Sequence, residues 1–306
     1  MLMTVWACDK IAGDPNKAKQ KSAAQQPKEK PIVIWYYHSI WDTPKSLQIA
    51  LSSGLVTHVT IAGTLHRKDR DYRKNRKTLD ALKITKGFGA KVIWVRDLWP
   101  LYNIEDSRAE DLFDPNYYIQ EIQILRSEAN EVGADFVMLD TEPYGHATVK
   151  KYLHGQNRLD YQKMQELHQA INKAIGSVGK VDFIRPGGGP RRGHPAQILA
   201  RLGKYRFSGV ARSGEALRHK PPYEVYPYEI FSAYLNTVKK ERKNPNFSYF
   251  RVPEIFQNSH IWSDRRGLFL YPRERNTMAV AKELVAFAKS LPSIDSIKRR
   301  DPNSDP

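Results

Sequence analysis

Short runs rich in β-branched and aromatic residues recur along this chain, and segments of helical length separate most of them. There are eight such runs: 31–38, 56–63, 91–97, 135–142, 180–185, 207–212, 229–235 and 267–272. Alternation of strand-sized and helix-sized segments is the pattern of βα units, whose crossovers force neighbouring strands to run parallel. Several intervening segments carry apolar residues at helical spacing. Examples are Tyr118, Ile122 and Leu125; Met164, Leu167 and Ile171; and Met278, Ala281, Leu284 and Phe287. Stop and start signals agree with this reading, since Thr43-Pro44 and Asp114-Pro115 open helices that Gly54 and Gly133 close.

Eight strands within 262 residues, 31–292, predict an α/β (β/α)₈ (TIM) barrel in a single domain. An open doubly wound sheet would place a glycine-rich phosphate turn after its first strand, whereas the turn here is His38-Ser39-Ile40-Trp41. The stretches 217–228 and 239–265 show no helical period and are expected to be long loops. The polar segment 1–30 reads as a disordered tether and 293–306 as a frayed tail.

Composition limits the function classes. The longest apolar runs, such as 136–139, are strand-sized, far short of the roughly 18–20 residues a spanning helix needs. One cysteine among 306 residues excludes an internal disulfide. Lys and Arg number 49 against 33 Asp and Glu, a net charge of +16 that suits an anionic surface or substrate. The basic stretch 67–77 reads as a solvated face, and no nucleic-acid-binding module is present, so no nucleic acid is expected as a partner.

In a (β/α)₈ barrel the chemistry sits at the carboxyl ends of the strands. The residues there are Tyr37 and His38; Thr64 and His66; Arg96 and Asp97; Asp140 and Glu142; Arg185; Arg212; Tyr234 and Asn236; Tyr271 and Arg273. In the fourth run, Met138, Asp140 and Glu142 share one strand face. Turned inward, that face brings two carboxyls to the mouth, where mutual repulsion raises one pKa and supplies a general acid. Glu142, Asp140 and, from the neighbouring strand, Asp97 are the expected catalytic groups. Paired carboxyls serve glycoside hydrolysis as acid with nucleophile or base. A competing reading locks the pair in salt bridges with Arg96 and Arg185.

Aromatic residues near the same rim suit a carbohydrate cleft, and Trp41, Trp99 and Tyr144 are expected to be exposed because each follows a strand end. The full substrate-binding set is Tyr37, His38, Trp41, Arg96, Trp99, Tyr144, Arg185, Arg212, Tyr234, Tyr271 and Arg273. Its arginines would accept an anionic sugar, since converging guanidinium groups need anionic partners. The histidines and carboxylates at the mouth (His38, His66, Asp97, Asp140, Glu142, His146) also have the chemistry of a metal-dependent hydrolase or isomerase. They lack His-x-His or His-Glu-x-x-His pairing, so neither metal nor cofactor is expected.

The fourth run resembles the strand-four signature of glycoside hydrolase family 18, the chitinase-like barrels, written Asp-x-x-Asp-x-Asp-x-Glu. Asp135, Asp140 and Glu142 match it, Met138 stands at the middle aspartate, and the Tyr-Pro that follows is reversed to Pro143-Tyr144. The resemblance implies Glu142 as general acid and Asp140 as the residue orienting a substrate acetamido group. Val5-Trp6-Ala7-Cys8 resembles the end of a bacterial lipoprotein signal, which implies lipidation at Cys8, membrane association and a place in the cell envelope; the alternative is a cytoplasmic protein. The expected activity is cleavage of a glycosidic bond in a carbohydrate. A non-catalytic, surface-tethered glycan-binding barrel is the reading from another class.

Overall fold

The computed structural model describes residues 31–62, 71–97, 115–140, 173, 186–187, 201–202, 205–210, 229–235, 250–258, 266–272 and 276–291. The chain divides into two units, Met1–Lys30 and Pro31–Pro306, and every described residue belongs to the second. The described strands are β1 (Val33–Tyr37), β2 (His58–Ala62), β3 (Lys91–Asp97), β4 (Phe136–Asp140), β5 (Pro186–Gly187), β6 (Arg201–Leu202), β7 (Tyr205–Val210), β8 (Glu229–Leu235) and β9 (Arg266–Pro272). The helices are α1 (Pro44–Ser52), α2 (Arg76–Gly87), α3 (Pro115–Val132), α4 (Val252–Asn258) and α5 (Thr277–Ser290). The expected fifth run, 180–185, lies outside the described residues, as do 1–30, 217–228 and 293–306.

One sheet contains all nine strands in the order β4-β3-β2-β1-β9-β8-β7-β5, with the two-residue β6 paired antiparallel to β7. Every other pairing is parallel. The first strand is hydrogen-bonded both to the second and to the last, so the order steps round a circle without the reversal of a doubly wound sheet. This is the strand order of a (β/α)₈ barrel, as the sequence predicts.

Local signals explain the helices. Thr43 and Ser46 form a reciprocal capping box at α1, with Pro44 in the first turn. Gly54 (φ +70°) and Gly133 (φ +60°) follow α1 and α3 in the left-handed conformation that glycine adopts without a Cβ penalty. Helix α4 departs from the expectation of an uninterrupted loop over 239–265. Its single turn or two buries Val252, Ile255 and Phe256 at spacings of three and four, too short a segment for a period to stand out.

Strand alternation sorts the core into two clusters. Val33, Trp35, Tyr37, Val59, Ile61, Val92, Trp94, Val137, Leu268 and Leu270 face outward and pack with helix residues such as Leu47, Leu125 and Leu284. The residues between them, Ile34, Tyr36, Ala62, Ile93, Val95, Met138 and Phe269, form a second cluster within the sheet's inner face. Leu284 of α5 is fully buried in the outer layer. Leu284→Ala is expected to cost about 2–5 kcal/mol by leaving a cavity there, read as a lowered denaturation midpoint in urea with circular dichroism.

Candidate active site

The carboxyl edge of the sheet is built from the inward rows. On β1 the outward parity of Val33 and Trp35 sends Tyr36 and His38 inward. Tyr36 stacks on Tyr271 of β9 (ring centroids 4.3 Å apart, 20° between planes) and packs against Phe269 at 5.7 Å. His38 lies 6.0 Å from the Tyr36 ring and stacks almost flat on Trp41, 3.8 Å away with 8° between planes. Backbone register pairs position 234 of β8 with Tyr271, so Tyr234 falls on the same row. A continuous aromatic wall, Tyr271-Tyr36-His38-Trp41, thus lines the mouth over β9 and β1.

Further round the sheet, register pairs Asp97 of β3 with Asp140 of β4, one step beyond the Arg96 and Leu139 pair. Each aspartate occupies the next position in the alternation that turns Val95 and Met138 inward. Parallel neighbours have Cα atoms about 5 Å apart, so the two acidic positions are juxtaposed at the strand ends.

The same alternation corrects two sequence expectations. Tyr37 is not at the mouth: it faces the helices, is 1% exposed, and its hydroxyl donates to the Lys77 carbonyl at 3.2 Å. Burial, followed by the Asp42 carboxylate, pushes its phenol above the ordinary tyrosine range. Arg96 is not a substrate residue either. It is 4% exposed on the outer face, where Nε donates to Glu121 and Nη1 to Glu128 at 3.2 Å, both on α3. Glu128 also accepts from Trp94 Nε1 at 3.1 Å, and burial raises its pKa. Adjacent strand residues cannot share a face, and Tyr37 and Arg96 both take the helix side of their strands. Trp41, expected exposed, is partly buried against the inner cluster.

The described set therefore comprises His38, Trp41, Tyr271 and, by backbone position, Asp97, Asp140 and Tyr234. Glu142, Trp99, Tyr144, Arg185, Arg212, Arg273, His66, His146 and Cys8 lie outside the described residues. Among described residues no three His, Cys, Asp or Glu side chains are grouped to hold a metal ion.

Tyr36 belongs to the aromatic cluster expected at the rim, and the parity of Val33 and Trp35 places it inward. Asp42 carries no motif, yet it is 1% exposed and fixes the turn after β1: Oδ2 accepts from Trp35 Nε1 at 3.1 Å, and Oδ1 accepts from the Thr43 amide at 2.8 Å and from the Ser46 hydroxyl. Burial raises its pKa to about 6 although these donors, and Thr277, pull the other way.

No protein-family model matches the chain, and no curated protein matches it. Among solved structures the chain is similar to the tryptophan synthase α-subunit of Pyrococcus furiosus, at 9% identity over 86% of this chain and 98% of that one, with a TM-score of 0.38. It is also similar to a hyperthermostable endocellulase, at 11% identity over 84% of this chain and 92% of that one, TM-score 0.43. Tryptophan synthase of M. tuberculosis shows 10% identity over 85% and 93%, TM-score 0.35.

Two outcomes follow from the buried polar groups. Asp42 binds its proton more tightly folded (pKa about 6) than unfolded (3.8), so its contribution to stability is full below about pH 4 and is lost as pH rises through about 6. The stability of the wild type relative to Asp42→Asn is expected to fall by about 3 kcal/mol between pH 4 and 7, measured by urea denaturation across that range. Arg96→Met strands Glu121 and Glu128 in the helix layer, and is expected to cost about 3–5 kcal/mol in the same assay at pH 7.

Proposed function

We propose that this barrel is a glycoside hydrolase whose carboxyl groups at the ends of β3 and β4 cleave a sugar held against the aromatic wall of β9 and β1. The register that pairs Asp97 with Asp140 carries the reading. Carboxyls gathered at neighbouring strand ends resist simultaneous ionisation, so a further carboxyl brought to the same place is favoured to keep its proton and serve as general acid while the aspartates stay charged. Glu142, two residues beyond Asp140, continues the same alternation in the sequence and is the proposed proton donor to the leaving oxygen. Asp140 and Asp97 are then the partners that stabilise the developing positive charge at the anomeric carbon and orient the attacking group, with carboxyl separation setting retention or inversion.

The wall supplies the other requirement. A pyranose presents a flat face of C–H bonds, which packs on the partly exposed rings of Tyr271 and Trp41, backed by the buried Tyr36 and His38, while its hydroxyl edges are left for polar neighbours. The glycan-binding reading without catalysis called on arginine to neutralise the acidic pair. Arg96, one of the two arginines that reading needs, faces the opposite way and is already matched by Glu121 and Glu128; Arg185, the other, lies outside the described residues. Tethering through Cys8 would place such an enzyme at the cell envelope.

The test is turnover of a panel of neutral, N-acetylated and anionic oligosaccharides by the wild type and by Glu142→Gln, Asp140→Asn and Asp97→Asn. Each variant keeps the shape of the side chain and removes its acid. Losses of about 10²–10⁴-fold in kcat are expected for Glu142→Gln and Asp140→Asn. A wild type that binds panel members without cleaving any of them would establish the binding protein instead.

A further inference from the structure

We infer that Asp42 and Thr277 are positioning residues that latch the turn bearing His38 and Trp41 of the aromatic wall to the start of α5, an inference that rests on the glycan-binding role given to that wall. The turn after β1 is tight: the amides of Trp41 and Asp42 both donate to the His38 carbonyl, at 3.2 and 2.8 Å. Beneath it the Asp42 carboxylate gathers Trp35 of β1 and Thr43 and Ser46 at the start of α1. From the other side comes Thr277, the first residue of α5. Its hydroxyl donates to the Trp41 carbonyl at 3.5 Å. A single side chain thus ties the Trp41 turn to the first residue of α5. On the opposite flank, Asn75 donates to the Ser39 hydroxyl at 3.1 Å and Lys77 to the Ser39 carbonyl at 3.2 Å.

The argument for positioning over plain folding is one of redundancy. Helix α1 already has a complete capping box in Thr43 and Ser46, so it does not need an aspartate beside it. Burying a carboxylate costs free energy unless its bonds are all made. What this carboxylate adds is orientation: its neighbour in sequence is Trp41, whose ring is held flat on His38 at 3.8 Å. Restricting the loop before a ligand arrives removes an ordering cost from binding.

The experiment compares Thr277→Val, Asp42→Ala and Asp42→Asn with Leu284→Ala, a core variant of the same helix two turns further on. In the free protein, the His38 ring-proton resonances lie in the ring current of Trp41, and NMR reads their displacement. Thr277→Val and Asp42→Ala are expected to move them toward unstacked positions, Asp42→Asn to keep them, and Leu284→Ala to leave them unchanged. On whichever glycan the wild type turns over, the first two variants are expected to raise KM about tenfold with kcat within about twofold. Unchanged His38 resonances in Thr277→Val, or the same displacement in Leu284→Ala, would overturn the latch. If the wild type turns over no glycan, the hydrolase reading fails, and the resonances still decide the latch. Should Asp42→Ala not fold, Thr277→Val carries the test alone.

Discussion

A strand in a closed parallel sheet has only two faces, and consecutive residues take them in turn. Every position on such a strand belongs either to the interior or to the layer beneath the helices, so a single parity decides the whole strand. In this chain the parity is set by large apolar residues: Trp35, Trp94 and Leu270 are fully buried under helices. Once they are placed, Tyr36 and His38, Ile93 and Val95, Phe269 and Tyr271 have no choice of side. The aromatic wall and the paired acidic positions are consequences of packing done elsewhere.

The buried polar groups cluster where strand ends meet helices, and they stabilise in opposite senses. Arg96 on β3 is satisfied by two glutamates seven residues apart on α3, a spacing that puts both on one face of the helix. Its pairing anchors the end of β3 from behind, one residue before Asp97. Asp42 is the reverse case: an acid held by neutral donors alone, whose charge remains under-compensated, as its pKa near 6 reports. A network that is matched rigidifies, and one that is not stores a cost that folding must offset elsewhere. Both sit directly behind residues of the candidate site.

Much of the fold could be read from the sequence because its signals are local. Thr43-Pro44 and Gly54 bound α1 as their capping chemistry requires, and β3 spans 91–97 in both sequence and structure. The candidate site was legible only to the resolution of a residue pair. Tyr37-His38 and Arg96-Asp97 mark strand ends correctly, but choosing the inward member needs the parity of the strand, which the more polar residue of the pair does not reveal. Nothing local announces Asp42, Glu121 or Glu128 either, since their meaning comes from partners 7 to 32 residues away or, for Thr277, across the whole chain. Helix α4 escaped for a different reason, being too short to establish a period.

The outward turn of Arg96 also changes what the excess of positive charge means for a substrate. A mouth ringed by arginines would select anionic sugars through ion pairing. Above its first row, the described inner face is Tyr36, His38, Thr60, Ala62, Ile93, Val95, Phe136, Met138, Phe269 and Tyr271, with no lysine or arginine among them. Of the described cations, Arg76 is 94% exposed on α2, Arg73 before it is engaged by Asp71 and Glu131, and Lys91 at the amino end of β3 is engaged by Asp135. Such charge shapes what the outside of the barrel approaches, over about a Debye length of 8–10 Å. Inside, the described part of the inner face presents aromatic and apolar side chains rather than cations.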